Sequence, residues 1–542
     1  MKSWAFLLLF LAGTIAADET HDHNHGPADL GNLGKVTFDV SCKDAVKKDF
    51  SRAVAMMHSF WYVEAEKAFV RIAEADPGCA MAQWGIAMSN YHPLWAAPTA
   101  DELRRGREAA GRAQAGKAGS ERERAYIKAI QAFYADDGDH ATRANAYAQA
   151  MMSVAAAYPN DDEAAIFSAL ALLGTAPASD KTYAKQKTAA EILTRILPRH
   201  PEHPGVAHYI IHSYDYPALA SLALPAARAY AKIAPGSPHA LHMPSHIFTR
   251  LGLWDESIAS NLASAAKARR HMRVQKPGAA AFDELHAVDY LMYAHVQKGE
   301  DAKAKALLDR LLAVDGQSID NANFAAAYAL AAAPARYTLE RRRWSDAAKL
   351  TLHPANFDWK PYAYAEANVH FARAIGAARS GDLNAAKSAI DRLDAIRQEL
   401  VAQKNTYWVG QVEIQRMSAQ AWLAQGAGLK EEATRLMRAA AELEDKTEKH
   451  PVTPGPVVPA RELLADLLLE HGHAAEALAE VERVLSVSPR RFHATWLAAR
   501  AAEAAGDARK ARDRYRDLLE LAGGSAERPE LEQARTFMAV KR

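Results

Sequence analysis

Four histidines fall on a lattice: His208 and His212 are four residues apart, so are His242 and His246, and the second pair follows the first at a stride of 34 residues. On a helix, residues i and i+4 share a face with Cβ atoms about 5–6 Å apart, and helices packed side by side lie about 8–10 Å apart. Two such pairs on equivalent faces of neighbouring helices bring imidazoles to one place. Paired nitrogen donors of this kind are a recurrent way to hold a transition metal, at about 2.0–2.1 Å for zinc. The expected cofactor is therefore a divalent transition metal, Zn, Cu or Fe, bound as one ion or two.

Counting repeat positions from the helix-stopping Pro235 puts His208 and His242 at position 5 of successive repeats and His212 and His246 at position 9. Asp215 then falls at position 12, His239 and His286 at position 2, and Asp289 at position 5 of the next repeat. Spacings of three and four return to one helix face, so these residues are expected in or just outside the ligand shell. Tyr209, Tyr214, Asp215 and His286 are candidates to orient ligands or move protons. His58 and His92 keep the same stride of 34 and could face the same groove or merely pack. Two other readings of the lattice stay open: a metal-free polar groove for a ligand or peptide, and histidines copied by repeat duplication into packing positions.

Several chemistries are excluded. A zincin needs Glu directly after the first histidine, and here Tyr209 follows His208. No glycine-rich phosphate loop ending in Lys and Ser or Thr occurs, and no Gly-x-Ser-x-Gly elbow. The sequence names no reaction.

The elements that must position these residues are helical. The chain has 542 residues, charged side chains make up 24% with both signs interspersed, and runs rich in Val, Ile and Thr are nearly absent. Ala65, Phe69, Ile72 and Pro77 fit the second helix of a repeat, and Trp84, Gly85 and Ala87 open the next one. Gly472 and Gly506 recur at the same stride of 34 near the C-terminus. That period is the tetratricopeptide helix-turn-helix unit, so the expected fold is an all-α solenoid with the histidines on its concave face. Phe60, Trp61, Tyr62, Trp84, Tyr91 and Trp95 are read mostly as core. Proline-rich Leu352 to Pro361 is a soft boundary, and His450 to Pro459 an ordered loop between repeats.

The start reads as a secretory signal peptide, with Lys2, an apolar run and small residues ending at Ala16 and Ala17. Loss of Lys2 from 66 Lys and Arg leaves 65, equal to the 65 Asp and Glu, so charge gives no support for nucleic-acid or membrane-surface binding. The expected organisation is a signal peptide at 1–17, a flexible segment at 18–37, an array at 38–350 carrying the groove, and a second array at 351–542. The flexible segment carries His21, His23 and His25, which either scavenge Cu or Zn or belong to a solvated linker. Export, periplasmic or secreted, also makes a disulfide between Cys42 and Cys79 an expectation, against two buried thiols.

Three segments, SFWYVEAEKAFVRIAEADPGCAMAQWGIAMSNYHPLW, HPGVAHYIIHSYDYP and SPHALHMPSHIFTRLGLWDESIASN, resemble those of secreted bacterial tetratricopeptide-repeat proteins. The resemblance spans roughly residues 38 to 470. It implies an extracytoplasmic α-solenoid and carries no activity with it. Tetratricopeptide arrays commonly serve as scaffolds that take a peptide or protein in the groove. Such grooves favour Lys, Arg and Asn, whereas this one offers His and Asp, which tilts the reading toward metal.

Overall fold

The computed structural model describes residues 30–94, 97–135, 137–320, 322–523 and 528–539. The expected leader, the His21, His23 and His25 run and Trp95 lie outside them. The described chain is an all-α tetratricopeptide-type solenoid, in which antiparallel helix pairs follow one another from Asp44 to the terminal helix Pro529–Ala539. The one exception is a parallel pairing of Ala280–Ala281 with Ile319–Asp320. Among the described residues no helix is long and apolar enough to cross a membrane.

Local sequence sets the helix ends. Thr99 and Glu102 form a capping box, and the side chains of Asp139, Asp161 and Ser237 cap the helices that follow them. Pro204 and Pro238 sit in first turns, where a missing N–H costs nothing. At the repeat turns Gly299 and Gly472 take φ of 69° and 82°, the left-handed region that glycine enters without Cβ strain. Within the Ala80–Tyr91 helix, Gly85 lets Phe69 approach so closely that an added Cβ would lie 2.3 Å from its ring.

The two helices of each pair are buried differently, and that difference creates the site. Second helices such as Ala508–Ala522 are amphipathic, burying Ala511, Tyr515, Leu518 and Leu521. Several first helices are buried all round: Pro204–Tyr214 from 204 to 213, and Phe324–Glu340 from 325 to 340. The array curls back on itself, which is why. The stretch before the first helix lies across later repeats, with Lys35 N–H donating to Glu202 O at 2.9 Å and Gly236 N–H to Asn32 O at 2.7 Å. At the other end Phe492 N–H reaches Gln297 Oε1 at 2.8 Å. The fully buried Arg491 joins Glu340, Glu462 and Tyr293 at 2.7 Å each, tying the last repeats to the middle of the chain.

Cys42 and Cys79 form a disulfide with Cα atoms 4.8 Å apart, closing a loop that holds the first helix pair. A closure of that length stabilises by about 2–4 kcal/mol. Leu352 to Pro361 is a loop, and its Phe357 belongs to the same core as the helices on either side of it. His450 to Pro459 is ordered as expected, but it does more than connect repeats: Val452, Thr453, Val457 and Val458 are buried. The open concave groove expected at the histidines is therefore not there, because residues 446–459 fill it.

Candidate metal centre

The Pro204–Tyr214 helix carries His208 and His212, and its neighbour, divided at Pro244 into Pro238–His242 and Pro244–Arg250, carries His239, His242 and His246. His286 comes from the next inner helix, Phe282–Gln297. All six imidazoles are buried; His212 is the most accessible at 8% and His208 is at 0%. They do not meet at one point. They form two sets, His208, His212 and His239 in one and His242, His246 and His286 in the other, and within each set one nitrogen per residue lies within 4.8 Å of the others. The sets adjoin, with the rings of His212 and His246 6.0 Å apart and those of His239 and His242 6.1 Å apart.

Hydrogen bonding assigns the tautomers. His208 Nδ1 donates to the carbonyl of His58 at 2.6 Å, His242 Nδ1 to Asn261 Oδ1 at 2.6 Å, and His246 Nδ1 to Asp215 Oδ2 at 3.0 Å. A carbonyl or carboxylate oxygen has no proton to give, so each Nδ1 bears the hydrogen and each Nε2 of the neutral ring is a bare lone pair. The amide of Asn261 is itself fixed, its Nδ2 donating to Ser257 O at 2.8 Å. Yet His242 Nε2 stands 3.0 Å from His246 Nε2, and these two facing lone pairs repel unless a cation lies between them. In the first set the bare His208 Nε2 stands 3.1 Å from His212 Nε2 and 3.2 Å from His239 Nε2. Such spacings suit nitrogens about 2 Å from a common ion.

A proton is a poor substitute for that cation. Burial presses His208 down to about 3 and His212, His239, His242 and His286 well below the ordinary imidazole range. His246 is lowered too, although Asp215 opposes the effect of burial.

The neighbouring groups position and enclose the imidazoles. Asp215 sits at the end of its helix and accepts from His246, from Arg250 Nε at 2.9 Å and from Lys449 Nζ at 2.7 Å. Burial would raise its carboxyl, but Lys449 and Arg250 hold it well below the usual range. Asp289, expected near the ligands, instead pairs with Arg336 at 3.2 Å. Neither carboxylate joins either set of histidines. Tyr290 Oη lies 3.2 Å from His246 Nε2 and equally far from Thr453 O. Phe60, at φ 53°, holds its ring 4.3 Å from that of His208 and 5.4 Å from those of His212 and His239. A bulky residue in that region costs about 1–3 kcal/mol, which marks a position the surroundings impose.

His58 and Tyr209 lie behind the first set rather than in a groove. Tyr209 Oη donates to His58 Nδ1 at 2.9 Å, and Glu163 accepts from both His58 Nε2 and His203 Nε2 at 2.9 Å. Ordinary donors and acceptors satisfy that cluster. His92 stands apart, 3.3 Å from Glu102, and Tyr214 is partly buried against the N-terminal core. Sequence reasoning missed His203, Glu163, Asn261, Tyr290 and Lys449, of which only His203, directly before a helix-starting proline, carried a local signal.

Residues 446–459 cover the second set. Besides the Lys449 contact, Arg336 donates to Gly455 O at 2.7 Å and to Pro456 O at 2.5 Å, and Glu448 accepts from Lys181 at 2.7 Å and Tyr183 at 2.8 Å. His450 stacks on Trp408 with ring centroids 5.4 Å apart.

The chain is thus a tetratricopeptide-type solenoid with two buried three-histidine sets at its centre. No family model matches it, and no curated protein does. Solved structures similar to it include a tetratricopeptide repeat protein from Parabacteroides merdae, at 13% identity and a TM-score of 0.28, covering 56% of this chain and 97% of that one. IFIT1 bound to m7Gppp-AAAA has 11% identity and a TM-score of 0.36, covering 89% and 96%. The Cut9–Hcn1 assembly of the APC/C has 11% identity and a TM-score of 0.28, covering 91% and 89%. At these scores the likeness extends to helical repeats and no further.

Proposed function

We propose that the protein is an exported solenoid that binds transition-metal ions in two adjacent three-histidine sites, His208, His212 and His239 in one and His242, His246 and His286 in the other. The observation that carries this reading is the pairing of the bare Nε2 atoms of His242 and His246, each fixed by an acceptor on the opposite nitrogen of its ring, the arrangement that outer-shell partners impose on metal-binding imidazoles; His208 in the first set is fixed in the same way. Six neutral nitrogen donors and no carboxylate suit Zn, Cu or Fe(II) and do not suit Mg or Ca. Three protein ligands leave a position for water or substrate, as in catalytic zinc sites, and an ion there would supply Lewis-acid or redox chemistry. The disulfide between Cys42 and Cys79 supports an oxidising compartment.

A peptide-binding scaffold is the runner-up, but at the histidines residues 446–459 already occupy the place of a peptide. The decisive measurement is elemental analysis of protein purified without a histidine tag. Two equivalents of Zn, Cu or Fe per chain are expected after loading and desalting. Protein that stays below a tenth of an equivalent when offered Zn, Cu, Fe and Mn would overturn the reading and leave the scaffold in its place.

A further inference from the structure

Beside the first histidine set lies a cavity of about 840 Å³, walled by Phe60, Trp61, Phe282, Phe324 and Trp408 and edged by carboxylates and by the basic side chains Lys67, Arg105 and His271. Most of those carboxylates are already engaged. Glu64 accepts from Lys67 at 2.7 Å and lies 3.6 Å from His271; Glu66 accepts from Asn90 at 2.7 Å; Glu102 is held by Thr99 and lies 3.3 Å from His92; Asp320 lies 3.4 Å from Lys276. Asp283, in the first turn of the Phe282–Gln297 helix, is partly buried and faces only the distant field of His271. Burial among the rings pushes its carboxyl up to about 7, a state that a cation against it would reverse.

A second observation has the same sense. Asn90, fully buried in the cavity wall, gives its Nδ2 to Glu66 and to Ile86 O, and its Oδ1 has no partner. The cavity therefore sets one carboxylate, Asp283, inside aromatic walls that favour positive charge, with an unpaired amide oxygen buried in its wall.

We propose that this cavity binds a small organic cation, an ammonium or guanidinium group on an apolar body, with the charged head on Asp283 and the body among Trp61, Phe282 and Trp408. The chemistry is that of cation–π recognition completed by one desolvated carboxylate. Asp283 precedes His286 by three residues on one helix face, and Phe60 lines both the cavity and the first histidine set, so the ligand lies next to the histidines. Binding itself requires no metal and stands apart from the metal reading.

Dansylcadaverine, a fluorescent primary ammonium, tests this on the full chain stripped with EDTA; its guanidinylated derivative separates the two head groups, and a dansyl-aminocaproate control carries the same body with a carboxylate. Saturable binding at one site with a blue-shifted emission is expected for at least one cation, with at least tenfold weaker binding of the carboxylate. Asp283→Asn should weaken the cation at least tenfold and leave the carboxylate unchanged, while Asp255→Asn on the outer surface changes neither. Equal binding of cation and carboxylate, no saturable binding of either cation, or a wild-type affinity in Asp283→Asn overturns the proposal. If Asp283→Asn loses helicity, the preference of the wild-type chain for cation over carboxylate decides the matter alone.

Discussion

Replacing His208 and His239 by Gln is expected to remove one of two equivalents of bound metal and leave the other, and replacing His242 and His286 by Gln to do the reverse. This is the largest functional effect expected of any substitution in the chain, and it follows from the division of the six imidazoles into two sets. Combining all four changes leaves no stoichiometric metal. Helicity stays at the wild-type value, because a solenoid is held by apolar contacts between neighbouring repeats. Outer partners have smaller effects: Asn261→Ala frees His242 Nδ1 and is expected to weaken the second site about 10- to 100-fold while sparing the first. Titrating each variant with Zn against a competing chelator reads both sites. Equal losses at both sites in each double variant would show that the six histidines act as one centre, and unchanged stoichiometry would remove them from metal binding.

Metal-free protein should unfold in mild acid. In the folded chain His208 is pressed down to about 3 and His450 to about 4, and His212, His239, His242 and His286 lie well below the usual range, all chiefly through burial. In the unfolded chain they return to about 6.5. Below that value the unfolded state takes up protons that the folded state refuses, so stability falls as pH falls, from about 6.5 down toward the folded-state values. Each such histidine removes more than about 1 kcal/mol per pH unit, and six together exhaust a stability on the order of 5–15 kcal/mol within about two units. Loss of the far-UV helical signal in EDTA is expected with a midpoint near pH 5 and with uptake of several protons. The His242→Gln, His286→Gln variant, with fewer sites to protonate, should shift that midpoint lower. A protein that keeps its helicity to pH 3.5 would mean that the imidazoles reach solvent more readily than their burial indicates.

Much of this architecture is written in the local pattern of residues. A stride of 34 in His208, His242, Gly472 and Gly506 is a property of neighbouring repeats, and the helix pairs follow it. The same stride brings the right histidines to adjoining helices. Their division into two sets accompanies a break in the second histidine helix at Met243–Pro244, between His242 and His246, which no spacing rule contains. Asp289 shares a face with the histidines but meets Arg336 instead, a partner set in an alanine-rich helix 47 residues on. Lys449 meets Asp215 across 234 residues. Contacts of that range leave no local trace, which is why the filling of the groove was not legible.

The covering segment also imposes an order in time. Every histidine of both sets precedes residue 290, whereas the segment that covers the second set begins near residue 446, and its anchor from Lys181 to Glu448 closes over 267 residues. Contacts of such high sequence separation form late. On the proposed reading the second set is thus complete while its side of the groove still stands open, and an ion captured there would be enclosed when the last fifth of the chain docks. Afterwards its escape would be timed by local opening of residues 446–459 where that opening is slower than release from nitrogen. Two ions of very different affinity would leave at similar rates, and the occupant would be whichever arrived before closure.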